Sequence, residues 1–239
     1  MGLGGGSGPG RHLLRGGGTT TRHFEADVAR DEDTDRLLER IGEQHDSVDF
    51  FISNAGLARR TTGLAEYDKR SLFTTLEYST WPMIEYSRRM EARFGRYPRH
   101  IIGVSSDGPD NFYTGYDFVA ASKALHELFA RYMSQHLFEG GTRVNVLRFG
   151  TVATQSFEQF FGTEFFDYLT ASSIPPAMVL EAEECGQAVL ALCSGLLNAM
   201  NGQVLCIDKG LSLRGNLMMD YLQSRQATPH TPIPGDATR

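Results

Sequence analysis

The sequence predicts an α/β protein: three layers around a doubly wound, parallel sheet whose N-terminal strands are reduced or missing. Three observations carry that expectation. Short apolar runs alternate with longer runs of helical spacing. The short runs are almost continuously apolar, as strands covered on both faces are. The chain has 239 residues, 41% of them hydrophobic, which suits one ordinary domain with a sizeable core.

The elements follow in order. Residues 23–28 read as a short strand. Residues 32–43 carry Leu37, Leu38 and Ile41 at helical spacing, and residues 48–53 form a buried strand stopped by Asn54-Ala55-Gly56. A long helix is expected over 67–93, kinked at Pro82, which has no N–H to give. Residues 100–105 form the next strand. The strongest helix covers 118–137, with Phe118, Ala121, Leu125, Leu128, Phe129, Tyr132, Met133 and Leu137 on a helical repeat. A strand at 143–147, a helix at 182–197 and a strand at 203–208 complete the series.

The two ends differ in composition. Nine of the 26 glycines lie within residues 1–18. The stretch 223–239 is rich in Pro, Thr and polar residues and is expected to be a disordered tail, leaving 1–222 as a single domain. Near the start, Leu13-Leu14 is the only apolar pair, so no secretion signal is expected. No apolar run approaches the roughly 20 residues of a membrane span. The chain carries 23 basic and 29 acidic residues, a formal charge of −6, and no nucleic-acid partner is expected. Cys185, Cys193 and Cys206 are too few and too scattered for a disulfide framework; they are expected as buried thiols in a reducing cytoplasm. The seven histidines show no metal-ligand spacing, and His126 and His136 are expected in solvent.

In a parallel sheet, ligands bind beyond the carboxyl ends of the strands. The loops after Ser53, Ser105 and Leu147 should therefore face one cleft. Ser106 sits in the second loop. Tyr116 and Lys123 lie seven residues apart at the start of the strongest helix, about 700° of turn and roughly 10 Å of rise, so both can face that cleft. An ammonium near a phenol lowers the phenol's pKa and makes it a usable proton donor.

These residues, in this order, resemble the short-chain dehydrogenase/reductase family over roughly residues 23–215. Asn54-Ala55-Gly56 resembles the turn that backs the cofactor's adenosine, and Asp27 the acidic residue that contacts the adenine. Ser106 stands 17 residues before Lys123, the family's Ser–Lys spacing. Gly150, Val152 and Thr154 fall in the segment that clasps the nicotinamide carboxamide, and Asn201 to Gly210 resembles the closing strand. Gly4, Gly8 and Gly10 fit the spacing of the phosphate loop. The resemblance implies a Rossmann-like fold, NAD or NADP as cofactor, and an oxidoreductase in which Ser106, Tyr116 and Lys123 are catalytic. It also implies a homodimer or homotetramer paired through helices 67–93 and 118–137.

Three departures stand out. The family's usual tyrosine position, four before the lysine, is Val119. Tyr116 has instead the spacing of the enoyl-acyl carrier protein reductases, which place a second tyrosine where this chain has Ser106; Tyr113 is another candidate donor. The asparagine that holds a relay water is replaced, by alignment, by Thr74 or Thr75. Only 16 residues separate Gly10 from Asp27, too few for a helix, a strand and their connections, so the first helix shrinks to about residues 11–15. The serine favours a ketone or alcohol substrate and the tyrosine spacing an enoyl thioester of fatty-acyl or polyketide type. Phe157, Phe160, Phe161, Phe165, Phe166 and Tyr168 crowd the lid segment, which suits either a bulky apolar substrate or a subunit contact. A non-catalytic binding or scaffold subunit is the alternative reading.

Overall fold

The computed structural model describes residues 20–61 and 63–227. The glycine segment with Gly4, Gly8 and Gly10, the expected helix at 11–15 and the tail from 228 onward lie outside the described residues. Four parallel strands, β1 (Phe50–Ser53), β2 (His100–Ser105), β3 (Arg143–Phe149) and β4 (Val204–Ile207), form a sheet in chain order. Ser53 pairs in register with Gly103, and Ser105 with Arg148.

Helices α1 (Asp31–Gly42), α2 (Lys69–Ser79), α3 (Trp81–Phe94) and α4 (Asp117–His136) precede or separate the first three strands. α3 and α4 cover one face of the sheet, where Met83 and Ala130 pack on Ile101, Val144 and Val146. After β3 come α5 (Gln155–Phe161), α6 (Glu164–Ala171) and α7 (Ala182–Cys193), and α8 (Leu217–Ala227) follows β4. Leu192 of α7 covers the other face with Ile102, Leu147 and Phe149. The three-layer, Rossmann-like expectation holds, with four strands among the described residues. β1 is its lateral strand there, and Phe50 and Ile52 are exposed.

Residues 23–28 are not a strand. The Asp27 carboxylate accepts the Ala29 N–H at 3.0 Å, and the Asp27 N–H donates to Asp33 at 2.9 Å. The Arg30 N–H returns to the Asp27 carbonyl. This turn leads into α1 and takes up the groups a ladder would need. The expected kink at Pro82 is a full break at Thr80. Pro82 sits in the first turn of a new helix, where a missing N–H costs nothing. The Thr80 hydroxyl donates to the Ser122 carbonyl of α4 at 2.9 Å. α8 runs five residues past the expected domain boundary at 222, because Met218 and Tyr221 are buried against Phe165 and Leu169.

α4 holds the main reversal. Its buried face carries Phe118, Val119, Ser122, His126, Glu127, Ala130 and Ser134. The apolar stripe expected in the core points outward at Leu128, Phe129 and Tyr132, which are 42%, 37% and 61% exposed. His126, expected in solvent, is fully buried.

Candidate active site

A cavity of about 580 Å³ opens at the carboxyl ends of the strands, bounded by the loops after β1, β2 and β3 as the parallel sheet requires. Ser106, Tyr116 and Lys123 all line it. Ser106 follows β2 directly, and its Oγ lies 3.1 Å from the Tyr116 hydroxyl. Tyr116 is the residue that opens α4. Its ring crosses Gly108 so closely that a Cβ there would stand 2.6 Å from Cε1. Gly108 is thus part of the site, and the sequence offered no sign of it beyond a glycine in a loop.

Lys123 lies two turns along α4 and donates to the Val104 carbonyl at 2.8 Å. Burial pushes its ammonium down to about 8, against the attraction of Glu127 one turn on. The expected lowering of the Tyr116 pKa is not found. Burial pushes the phenol up, and the Ser106 hydrogen bond only partly opposes this.

Asn54 and Gly56 line the cavity and Ala55 does not. A Cβ on Gly56 would lie 3.6 Å from Ser79 Oγ and 4.0 Å from Lys123 Nζ. The Leu57 N–H donates to Ser79 Oγ at 3.0 Å, so the last residue of α2 holds this turn. Ser79 lines the cavity where Thr74 or Thr75 was expected; the Thr75 hydroxyl is spent on the Ser71 carbonyl at 2.8 Å. Ser79 lies one helical turn beyond Thr75, and that spacing was the available signal.

After β3, Gly150, Val152 and Thr154 line the opposite wall. Gly150 must be glycine: a Cβ would stand 2.6 Å from Asp208 Cβ. Val152 bridges Leu180 in parallel, and Thr154 caps α5 by accepting the Phe157 N–H at 3.2 Å. Asp27 is not part of the cavity. Its second carboxylate oxygen accepts the Tyr78 hydroxyl at 3.1 Å.

Sequence reasoning missed two further groups. Glu127 is buried and bound by Arg148, Nε to Oε1 at 3.0 Å and Nη2 to Oε2 at 2.7 Å, while the Ser105 hydroxyl donates to Oε1 at 2.7 Å. Arg148 also pairs with Asp110. This cluster joins α4, β2 and β3 beneath the site; an arginine inside an apolar strand was its trace in the sequence. Asp107 is the second: it lines the cavity beside Tyr113, the other candidate donor of the sequence, whose hydroxyl donates to Asp107 Oδ2 at 2.5 Å. Burial pushes the Asp107 carboxyl up and the Tyr113 phenol far up.

The lid aromatics divide. Phe157 and Phe161 line the cavity, their ring centres 4.9 Å apart, whereas Phe165 is buried behind them in the cluster under α8. Cys185 and Cys193 are half-buried and Cys206 is exposed, which corrects the expectation of three buried thiols. Among the described residues no cluster of His, Cys, Asp and Glu could hold a metal, and no helix is long and apolar enough to cross a membrane.

A family model described as enoyl-(acyl carrier protein) reductase matches residues 11–212. The chain is 24% identical over 198 residues to the NADH enoyl-[acyl-carrier-protein] reductase FabI of Aquifex aeolicus, covering 80% of this chain and 72% of that protein. It is 24% identical over 191 residues to 1-cyclohexenylcarbonyl-CoA reductase of Streptomyces collinus, covering 79% and 68%. The crystal structure of the Aquifex aeolicus enzyme superposes with a TM-score of 0.64 at 21% identity, over 80% of this chain and 73% of that one. A putative gluconate dehydrogenase from Agrobacterium tumefaciens gives 0.65 at 19% identity, over 77% and 73%. With its parallel sheet and a family match running from residue 11 to 212, the chain belongs to the short-chain dehydrogenase/reductase family, in the enoyl-(acyl carrier protein) reductase group.

Proposed function

We propose that the chain is a nicotinamide-dependent reductase of a small substrate, with a conjugated enoyl thioester favoured over a ketone. One observation carries the reading: the hydroxyls of Ser106 and Tyr116 stand 3.1 Å apart in the cavity that Lys123 also lines. Two convergent donors at that separation suit a single oxygen on which negative charge develops. Tyr116, kept protonated by burial, would deliver the proton, and Ser106 would hold the oxygen.

The residues present fit the nicotinamide and ribose end of such a cofactor. Its nicotinamide, when bound, supplies the hydride. Gly56 leaves room beside Lys123 Nζ, which would hold the ribose hydroxyls. Asn54 and Gly56 would back the cofactor from the β1 loop, and Gly150, Val152 and Thr154 would flank the carboxamide. Asp27, expected at the adenine, lies outside this cavity, and its carboxylate accepts the Tyr78 hydroxyl and the Ala29 N–H. NADH is the favoured form, because enoyl reductases among the relatives carry it in their names.

The enoyl preference draws on the seven-residue spacing of Tyr116 and Lys123 and on the names of both relatives. Nothing in the site favours a non-catalytic scaffold, whose polar groups would have no reason to converge. Self-association is part of the proposal: the outward apolar stripe of α4 is a surface that a second copy would cover.

Calorimetric titration with NADH and NADPH, followed by reduction of trans-2-enoyl thioesters monitored through cofactor absorbance, tests the reading. Binding of NADH and turnover of a thioester are expected. No binding of either cofactor at millimolar concentration overturns it.

A further inference from the structure

Four aromatic rings lining the cavity meet one another, Tyr113 on Tyr116, Tyr116 on Phe161 and Phe161 on Phe157. One carboxyl interrupts this wall. Asp107 lines the main cavity and also a smaller space of about 40 Å³ behind it. Among the described residues no basic side chain forms an ion pair with it, because nearby Arg148 is committed to Glu127 and Asp110. Its one side-chain partner is Tyr113, whose ring is locked among Phe165, Leu169, Met218 and Tyr221. An ionised carboxylate offers about four lone-pair sites, of which the Tyr113 hydroxyl takes one and the residue's own backbone N–H another.

A plain hydrocarbon occupant would strip water from this carboxyl and return nothing, which is costly for a buried acceptor. A substrate with its own donor would restore the lost hydrogen bond. Resting on the proposed reductase reading, we propose that Asp107, braced by Tyr113, is a specificity-determining residue that accepts a hydroxyl on the ring of an aromatic enoyl thioester. The substrate would then be held at two polar points. Its carbonyl oxygen meets Ser106 and Tyr116, its ring hydroxyl meets Asp107, and the ring lies against the aromatic wall between them. The adjacency of Ser106 and Asp107 in the chain keeps the two points within one small ligand's reach. The cavity volume suits such a ligand.

A matched pair of probes tests this: cinnamoyl-CoA and 4-hydroxycinnamoyl-CoA, differing in one hydroxyl. Both kcat/KM and equilibrium binding are measured for the unaltered protein and for Asp107→Leu, Asp107→Asn and Tyr113→Phe. The unaltered protein is expected to prefer the hydroxylated probe by about tenfold or more, the size of a good hydrogen bond to a charged group. Asp107→Leu should bring the ratio to about one, chiefly through KM, with binding of the plain probe improved. Asp107→Asn and Tyr113→Phe, which keep the shape, should fall between. If the preference appears in binding while neither probe is reduced, the inference stands and the reductase reading falls. A ratio near one in the unaltered protein, a ratio untouched by Asp107→Leu and Asp107→Asn, or binding of neither probe overturns the inference.

Discussion

The Ser106 hydroxyl oxygen and the Tyr116 phenol oxygen stand 3.1 Å apart although nine residues of loop lie between them. Gly108 makes the approach possible by carrying no Cβ where the tyrosine ring passes. If Tyr116 is the proton donor, Tyr116→Phe removes the acid and leaves the ring packing. Its kcat is expected to fall by about 10²–10⁴-fold, with NADH affinity by calorimetry unchanged. Turnover equal to that of the unaltered protein would assign the proton to another group, Tyr113 first.

Lys123 supplies the second prediction. Its ammonium titrates near 8, pushed down by burial from an ordinary value of 10.5. If it grips the ribose, NADH affinity should weaken as pH rises through about 8, and Lys123→Met should bind weakly at every pH. Stability should move the opposite way. The folded protein binds fewer protons than the unfolded chain between about 8 and 10.5, so folding strengthens as pH rises across that window and this contribution is lost on return to 8. Relative to Lys123→Met, the gain is at most about 3 kcal/mol, less in so far as the side chain reaches solvent. Urea midpoints at pH 7.5, 8.5 and 9.5 measure it.

His126 was misread from the sequence for a reason of geometry. The apolar residues of α4 divide: Phe118, Met133 and Leu137 pack inward, while Leu128, Phe129 and Tyr132 face outward, so the buried face also takes Ser122, His126, Glu127 and Ser134, polar residues that looked solvated. Hydrophobic periodicity finds a helix and an apolar face; it does not say whether that face meets the sheet or another molecule. The strands were legible because burial on both sides leaves a continuous apolar run, as in residues 100–105. Residues 23–28 looked like one more such run, but Asp27 and Asp33 turned the backbone inward on itself. Tyr116 and Lys123 were legible through their helical spacing, and Ser106 through the family resemblance, whose Ser–Lys spacing it matches. Asp107 and Gly108 were not, because a loop has no period.

The buried His126 makes the protein acid-sensitive. Among the described residues neither ring nitrogen has a hydrogen-bond partner, and burial with Lys123 nearby pushes the imidazole from 6.5 down to about 3. The unfolded chain therefore takes up a proton that the folded one refuses. This stabilisation is complete above about pH 6.5 and is lost, at about 1.4 kcal/mol per pH unit, as pH falls toward 3. His126→Leu should flatten that slope. At pH 7 it should add about 1–3 kcal/mol, because two orphaned polar atoms leave the core. Urea midpoints at pH 4.5, 5.5 and 7 check both; an equal acid slope in the variant refutes the assignment.

Glu127 tests how much the site depends on its support. Its carboxylate holds Arg148 through two bonds and accepts the Ser105 hydroxyl next to Ser106. Glu127→Ala leaves the Arg148 guanidinium with Asp110 alone, at an expected cost of about 3 kcal/mol, the lower range for breaking a buried ion pair. Glu127→Gln keeps the Ser105 contact and should cost less. The comparison is made by chemical denaturation, where an alanine variant as stable as the unaltered protein would show the pair to be dispensable.

The outward stripe of α4 leads to the last prediction. Leu128, Phe129 and Tyr132 expose apolar surface on consecutive turns of a 20-residue helix. Phe73 of α2 and Trp81 of α3 are exposed as well, and α2 packs on α4. Isolated exposed apolar residues need no explanation, but a contiguous stripe marks a contact surface. A second copy meeting this stripe through the same stripe gives the self-complementary geometry of a two-fold dimer. Phe129→Glu with Tyr132→Glu places four like charges across that axis in the pair. The doubly substituted protein is expected to sediment as a monomer at concentrations where the unaltered chain is a dimer or tetramer. Because both side chains are exposed, its folding stability as a monomer should change by no more than about 0.5 kcal/mol. Sedimentation velocity across a hundredfold concentration range decides it, and a monomeric unaltered chain would leave the stripe to some other partner.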